Sequence, residues 1–197
     1  MSCGPAFSHT GFAMEMPPSP WITRWTHLLK ANADVLDVAC GAGRHTQWFA
    51  DHGHRVTGID RDLSGALHLS GCATLLQADM ESETWPLTVS GKPRQFDAVI
   101  VTNYLWRPLM PTLLRSLAPK GVLLYETFAQ GNETVGRPTR ADFLLRPSEL
   151  LNYCKDFHVV AFEQGFLDEP QRFVQRIAAV ARPASLEADH LSHRYPL

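Results

Sequence analysis

Three acidic residues stand beside short apolar runs in this chain, and each could hold a different part of one ligand: Asp37, Asp60 and Asp79. The first lies in Asp37-Val38-Ala39-Cys40-Gly41-Ala42-Gly43-Arg44. Gly41 and Gly43 let the backbone turn sharply and approach a ligand with no Cβ in the way. A helix opening at Arg44 would offer unpaired N–H groups and the positive end of its dipole, which suits a phosphate or a carboxylate. Asp37, just before the turn, suits an ammonium, so the pair of features suits a zwitterion. Asp60 ends the next apolar run, where a carboxylate can accept both hydroxyls of a ribose. Asp79-Met80 follows the third, and an acid beside a flexible apolar side chain suits an adenine ring.

The elements that must position these residues follow from the pattern of apolar runs and breakers. Ser19-Pro20 caps a helix from Trp21 to Lys30, with Trp21, Trp25, Leu28 and Leu29 on one face. Strands are expected over 35–39, 55–60, 74–78, 96–103 and 121–128, with helices over 44–52, 62–69 and 109–118 between them. A short helix follows Pro147-Ser148-Glu149, and two strands, 157–165 and 171–182, close the pattern. Alternating strands and helices imply a parallel sheet with helices on both faces, binding ligands at the carboxyl ends of its strands. The last two strands are joined too closely for a parallel crossover and must be antiparallel. The fold class is therefore α/β: a Rossmann-like, doubly wound, seven-stranded sheet, mostly parallel, with a C-terminal antiparallel hairpin. Residues 1–32 form a leader and helix that could act as a lid, 33–182 the ligand-binding domain and 183–197 a polar tail. The long loop 129–146 is expected to shape a pocket together with the leader.

Composition narrows the function. The 197 residues carry a net charge of −2, which argues against a nucleic-acid partner. No apolar run reaches the roughly 20 residues that span a bilayer, and the first residues lack the pattern of a secretory signal, so a cytoplasmic protein is expected. The four cysteines, Cys3, Cys40, Cys72 and Cys154, form no CxxC pair, and no metal site is expected.

Taken together, VLDVACGAG, VTGID, LLQADM, FDAVIVTN and LAPKGVLLYE resemble the class I S-adenosylmethionine-dependent methyltransferases over about residues 33–182. CGAGRHT is similar to the first motif of their small-molecule branch, which includes the tellurite-resistance methyltransferases. The resemblance implies an enzyme that moves a methyl group from S-adenosylmethionine to a small-molecule acceptor and releases S-adenosylhomocysteine. It implies cofactor contacts at Asp37, Ala39, Cys40, Gly41, Gly43, Arg44, Asp60, Arg61, Asp79, Met80, Thr102 and Asn103, with Arg44 on the cofactor's carboxylate.

Methyl transfer from a sulfonium is an in-line displacement that needs alignment, and a base only where the nucleophile carries a proton. Tyr104, which could orient a substrate, and Glu126, which could act as a base, are the catalytic candidates. Arg107, Arg137, Arg140 and Arg146 could converge on an anionic acceptor. Two other readings stay open. One is a non-catalytic binding module of the same fold that acts through a partner. The other is an NAD(P)-dependent oxidoreductase, against which Thr46 occupies the third fingerprint position where glycine or alanine is required. The acceptor and the oligomeric state are not legible.

Overall fold

A computed structural model describes residues 16–82, 84–182 and 195–197. Cys3 and the expectations for residues 1–15 and 183–194 lie outside the described residues. In chain order the elements are α1 (Pro20–Trp25), β1 (Asp34–Val38), α2 (Arg44–Asp51), β2 (Arg55–Asp60), β3 (Thr74–Gln77), β4 (Thr88–Val89), β5 (Lys92–Pro93), β6 (Phe96–Thr102), α3 (Met110–Arg115), β7 (Leu117–Phe128), α4 (Glu149–Tyr153), β8 (His158–Asp168) and β9 (Gln171–Val180).

Seven strands form one sheet in the order β3-β2-β1-β6-β7-β9-β8. β3, β2, β1, β6 and β7 run parallel, and β9 is antiparallel to both β7 and β8. This is the doubly wound sheet and closing hairpin that the alternation of apolar runs predicts. Because strand residues alternate faces, Leu36 and Val38 join Met110, Leu113 and Leu150 from α3 and α4 on one side. Val35, Ile100 and Leu124 join Trp21, Ile22 and Trp25 of α1 and Phe49 of α2 on the other. Asp37 shares the face of Val35, which turns its carboxyl toward α2. The chain's path reverses between β1 and β6, so the carboxyl ends of these strands frame the switch-point crevice where such sheets bind ligands.

Several helices are shorter than their patterns suggest. α1 stops at Trp25, and Thr26–Leu28 continue as a 3-10 turn before Leu29 becomes extended. The helix expected over 62–69 is reduced to a 3-10 turn, Leu67–Leu69. Asp62 accepts the N–H of Ser64 at 2.9 Å, a local bond that competes with helix formation. α3 ends at Arg115: Ser116 makes the last helical bond, from its N–H to the Thr112 carbonyl at 2.9 Å, and leaves the helical backbone at ψ 0°. β7 then starts at Leu117, ahead of Pro119, with an irregular register against β6 between Phe96 and Ala98 that accommodates the proline. In the polar stretch 79–95, Ser90 and Gly91 at φ +52° and +73° make the tight turn of the small β4–β5 hairpin.

Gly58, in the middle of β2, lets α2 and the β1 turn close onto the sheet. A Cβ there would lie 3.1 Å from Cys40 Sγ, 3.1 Å from Thr46 Oγ1 and 3.3 Å from Leu75 Cδ2. Gly58→Val is expected to lower unfolding stability by about 1–3 kcal/mol through overpacking, read from the urea midpoint.

Candidate active site

The carboxyl ends of five parallel strands surround a cavity of about 520 Å³, within the size range of small-molecule sites. Ala39, just after β1, lines it, as do Asp60 and Arg61 at the end of β2. Asp79 and Met80 contribute from the end of β3, and Thr102, Asn103 and Tyr104 from the end of β6. Thr127 and Phe128 of β7, which no motif singled out, also line the cavity, and Pro138 and Phe143 bring in the 129–146 loop that was expected to shape a pocket. Asn132 holds Pro138 in place by donating from Nδ2 to its carbonyl at 3.2 Å.

The turn after β1 fixes its neighbours through its backbone. Ala39, Gly41 and Gly43 all take positive φ, at +53°, +55° and +81°. Left-handed alanine is costly and such backbones concentrate at functional sites. The N–H of Gly41 donates to Asp60 Oδ2 at 2.8 Å, and that of Asp62 to Asp60 Oδ1 at 3.0 Å. Asp60 is thereby aimed from the β2 end with lone pairs still free for hydroxyls. A Cβ on Gly41 would meet nothing within 4 Å, so a ligand can approach its backbone directly. Asn103, across the switch point, is also left-handed at φ +54°.

Asp79 accepts from Ser82 Oγ at 2.7 Å and from the Glu81 N–H at 3.0 Å. These two bonds hold its carboxyl below the usual range. The Tyr104 hydroxyl is buried and has no hydrogen-bond partner among the described residues. Burial, then the carboxylates of Glu81, Asp79 and Asp60, push its ionisation up. Tyr104 is therefore a proton donor or orienting group at neutral pH rather than a base.

The remaining expected residues lie beside or behind the wall. Asp37 is only 1% exposed and accepts from Thr46 Oγ1 at 2.7 Å. This burial closes the direct route to an ammonium that its position suggests and makes it a clamp between β1 and α2. Cys40 and Gly43 are buried, and burial pushes the Cys40 thiol up to about 12. Arg44 stands at the start of α2 and donates to the Pro17 carbonyl at 3.2 Å.

Glu126 does not stand free as a base. It is 1% exposed and accepts from Arg172 Nη2 at 3.4 Å, Arg176 Nη1 at 3.2 Å and Ser19 Oγ at 3.1 Å. Nor do the four arginines named above converge. Arg107 forms a bidentate pair with Glu149 at 2.7 and 2.9 Å and donates to the carbonyls of Asp142 and Leu144. It thus fastens the 129–146 loop over the end of β6. Arg140 pairs with Asp142 in solvent, and Arg137 and Arg146 are exposed.

His45 links two of these layers. Its Nε2 accepts the backbone N–H of Ser19 at 3.0 Å, so Nδ1 carries the proton and faces Thr102 Oγ1 at 3.4 Å. Burial, then the Arg44 charge, lower its pKa to about 3 and keep the ring neutral. With Nδ1 as donor, the Thr102 hydroxyl keeps its own proton for a group in the cavity. Among the described residues, no cluster of three or more His, Cys, Asp or Glu is arranged for a metal.

Several solved structures with this arrangement are named as methyltransferases. A family described as a methyltransferase domain matches residues 35–121, the stretch from β1 into β7. The Haemophilus influenzae protein TehB superposes with a TM-score of 0.66 at 17% identity, covering 82% of this chain and 61% of TehB. This is the class I methyltransferase fold. The 1,6-didemethyltoxoflavin-N1-methyltransferase of Burkholderia thailandensis, solved with 1,6-didemethyltoxoflavin and S-adenosylhomocysteine, superposes at 0.60 with 18% identity over 83% of this chain and 77% of that one. In sequence, YqeM of Bacillus subtilis (strain 168), which carries the name of a methyltransferase, is 32% identical over 126 residues, 56% of this chain and 48% of YqeM. The chain thus spans about half the length of that relative.

The buried Asp37 gives the methyltransferase fold a pH signature. Burial raises its pKa from 3.8 to about 6. Its contribution to stability is complete below pH 3.8 and is lost as the pH rises through about 6. Asp37→Asn keeps an acceptor for Thr46 without the charge. It should raise unfolding stability at pH 7.5, by up to about 3 kcal/mol, and have little effect at pH 4. Chemical denaturation of both proteins at the two pH values checks this.

Proposed function

We propose that this protein is an S-adenosylmethionine-dependent methyltransferase acting on a small-molecule acceptor. The observation that carries the reading is the convergence of three neighbouring strand ends on one cavity: Asp60 from β2, Asp79 and Met80 from β3, and the open backbone at Gly41 after β1. Asp60 would hold the ribose, Asp79 and Met80 the adenine, and the Gly41–Arg44 turn the amino-acid end. S-Adenosylmethionine, when bound, supplies an electrophilic methyl group and leaves as S-adenosylhomocysteine.

The chain's own residues act by placement. Tyr104 and Thr102 line the cavity, and neither is a base. Glu126 is buried and ion-paired, so deprotonation of an acceptor would fall to solvent or to the acceptor itself. Aligning a nucleophile with a methyl group removes much of the entropic barrier of a bimolecular step. A small acceptor is supported by the size of the cavity, which Pro138 and Phe143 help to line, and by the 1,6-didemethyltoxoflavin bound to the Burkholderia neighbour. Residues 33–182 are read as the cofactor-binding domain. No described helix is long and apolar enough to cross a membrane.

Calorimetry with S-adenosylmethionine and S-adenosylhomocysteine tests the reading. Micromolar binding is expected, weakened at least tenfold by Asp60→Ala, with no heat from NAD. Binding of NAD, or of neither sulfur compound, would overturn it.

A further inference from the structure

Glu126 gathers more positive charge than it can neutralise. Arg172 and Arg176 both bond to it, and the Arg44 charge acts on it from the start of α2. Arg176 also bonds to Glu163 through Nε and Nη2, each at 2.9 Å. Arg24 also pairs with Glu163 at 3.8 Å, and Asp37 acts on Arg44, so three carboxylates face four guanidinium groups. The surplus sits on Arg44 and Arg172, whose like charges oppose each other. Partly buried charge without a counter-ion is unfavourable unless something pairs with it.

Arg172 is the less satisfied of the two. Its side chain is 17% exposed, and its one carboxylate contact, through Nη2, is at 3.4 Å. Its Nε is buried and has no hydrogen-bond partner among the described residues. The planar fork of arginine suits two oxygens of one carboxylate, and Glu126 does not fill it. Arg172 does not itself line the cavity but stands next to its wall: its partner Glu126 precedes Thr127 on β7 and pairs in register with Thr102 on β6, and both threonines line the cavity. β9 stands three strands from β1 in the sheet, about 14 Å at ordinary strand spacing. A ligand group reaching Arg172 thus lies on the side away from Asp60 and Asp79.

We propose that Arg172 binds a carboxylate carried by the methyl acceptor, so that the acceptors of this protein are small carboxylic acids. This rests on the methyltransferase reading. The same chemistry could come from the cofactor's own carboxylate, and the test separates the two sources.

Benzoate, with benzamide as the neutral isostere, is titrated into the full-length protein with and without S-adenosylhomocysteine. Benzoate should bind at least tenfold more tightly than benzamide to the loaded protein. Arg172→Met should remove that preference while leaving S-adenosylhomocysteine affinity within twofold, and Arg172→Lys should fall between. Should Arg172→Met unfold, Arg172→Gln, which keeps a polar group in place of the guanidinium without its charge, serves in its place. Equal binding of benzoate and benzamide, or no binding of either, overturns the proposal. A tenfold loss of S-adenosylhomocysteine affinity in Arg172→Met also overturns it, by assigning the guanidinium to the cofactor. If S-adenosylhomocysteine fails to bind the unaltered protein, the methyltransferase reading falls, and the benzoate titration of the unloaded protein still decides the role of Arg172.

Discussion

Asp37 and Thr46, held 2.7 Å apart in the protein interior, fasten the first turn of α2 beneath the end of β1. The glycine turn between them can take only a narrow set of shapes, and the observed one needs left-handed backbone at Ala39, Gly41 and Gly43. From that turn the Cys40 N–H reaches the Ile59 carbonyl at 3.1 Å and the Gly41 N–H reaches Asp60. The ends of β1 and β2 are thus tied together, and β3 follows because the Ala78 N–H bonds to the Asp60 carbonyl at 2.9 Å. One buried carboxyl group therefore governs where three strand ends present their acids. Its desolvation opposes folding at neutral pH, a tension often found where a site is arranged for function rather than for stability.

A second layer joins the opposite side of the cavity. Ser19 caps α1, donates its N–H to His45 and gives its hydroxyl to Glu126. The segment before the sheet is thereby locked to α2 and β7 at once. Glu126 and His45 resemble catalytic groups by residue type, yet both are buried, one paired and one neutral. His45 faces Thr102 in the cavity wall, and Glu126 holds Arg172 beside it.

The sequence made the sheet legible because parallel, doubly covered strands read as continuous apolar runs; residues 55–60 were expected as a strand and β2 is Arg55–Asp60. Asp60, Asp79, Met80, Asn103 and Tyr104, which the sequence singled out, all line the candidate cavity, because each stands at or within three residues of a strand end. Helix lengths were not, since single side-chain bonds such as Asp62 to Ser64 decided them. Nor was the fate of the arginines. Arg107 meets Glu149, and Arg172 meets Glu126, across separations of 42 and 46 residues that no periodicity reports. Gly58 carried a signal, a glycine inside a strand, but only the packed structure says that a thiol and a hydroxyl press against it.

The closing hairpin runs β9 against the direction of its parallel neighbours, so that its beginning, rather than its end, lands at the ligand edge of the sheet. Residues such as Arg172 reach that edge from a stretch of chain outside the matched 35–121 region. The groups that would grip the shared cofactor and those that would choose the acceptor are therefore written in separate parts of the sequence. A lineage can redraft the second without disturbing the first, which gives one physical reason why a single scaffold can serve many small-molecule chemistries.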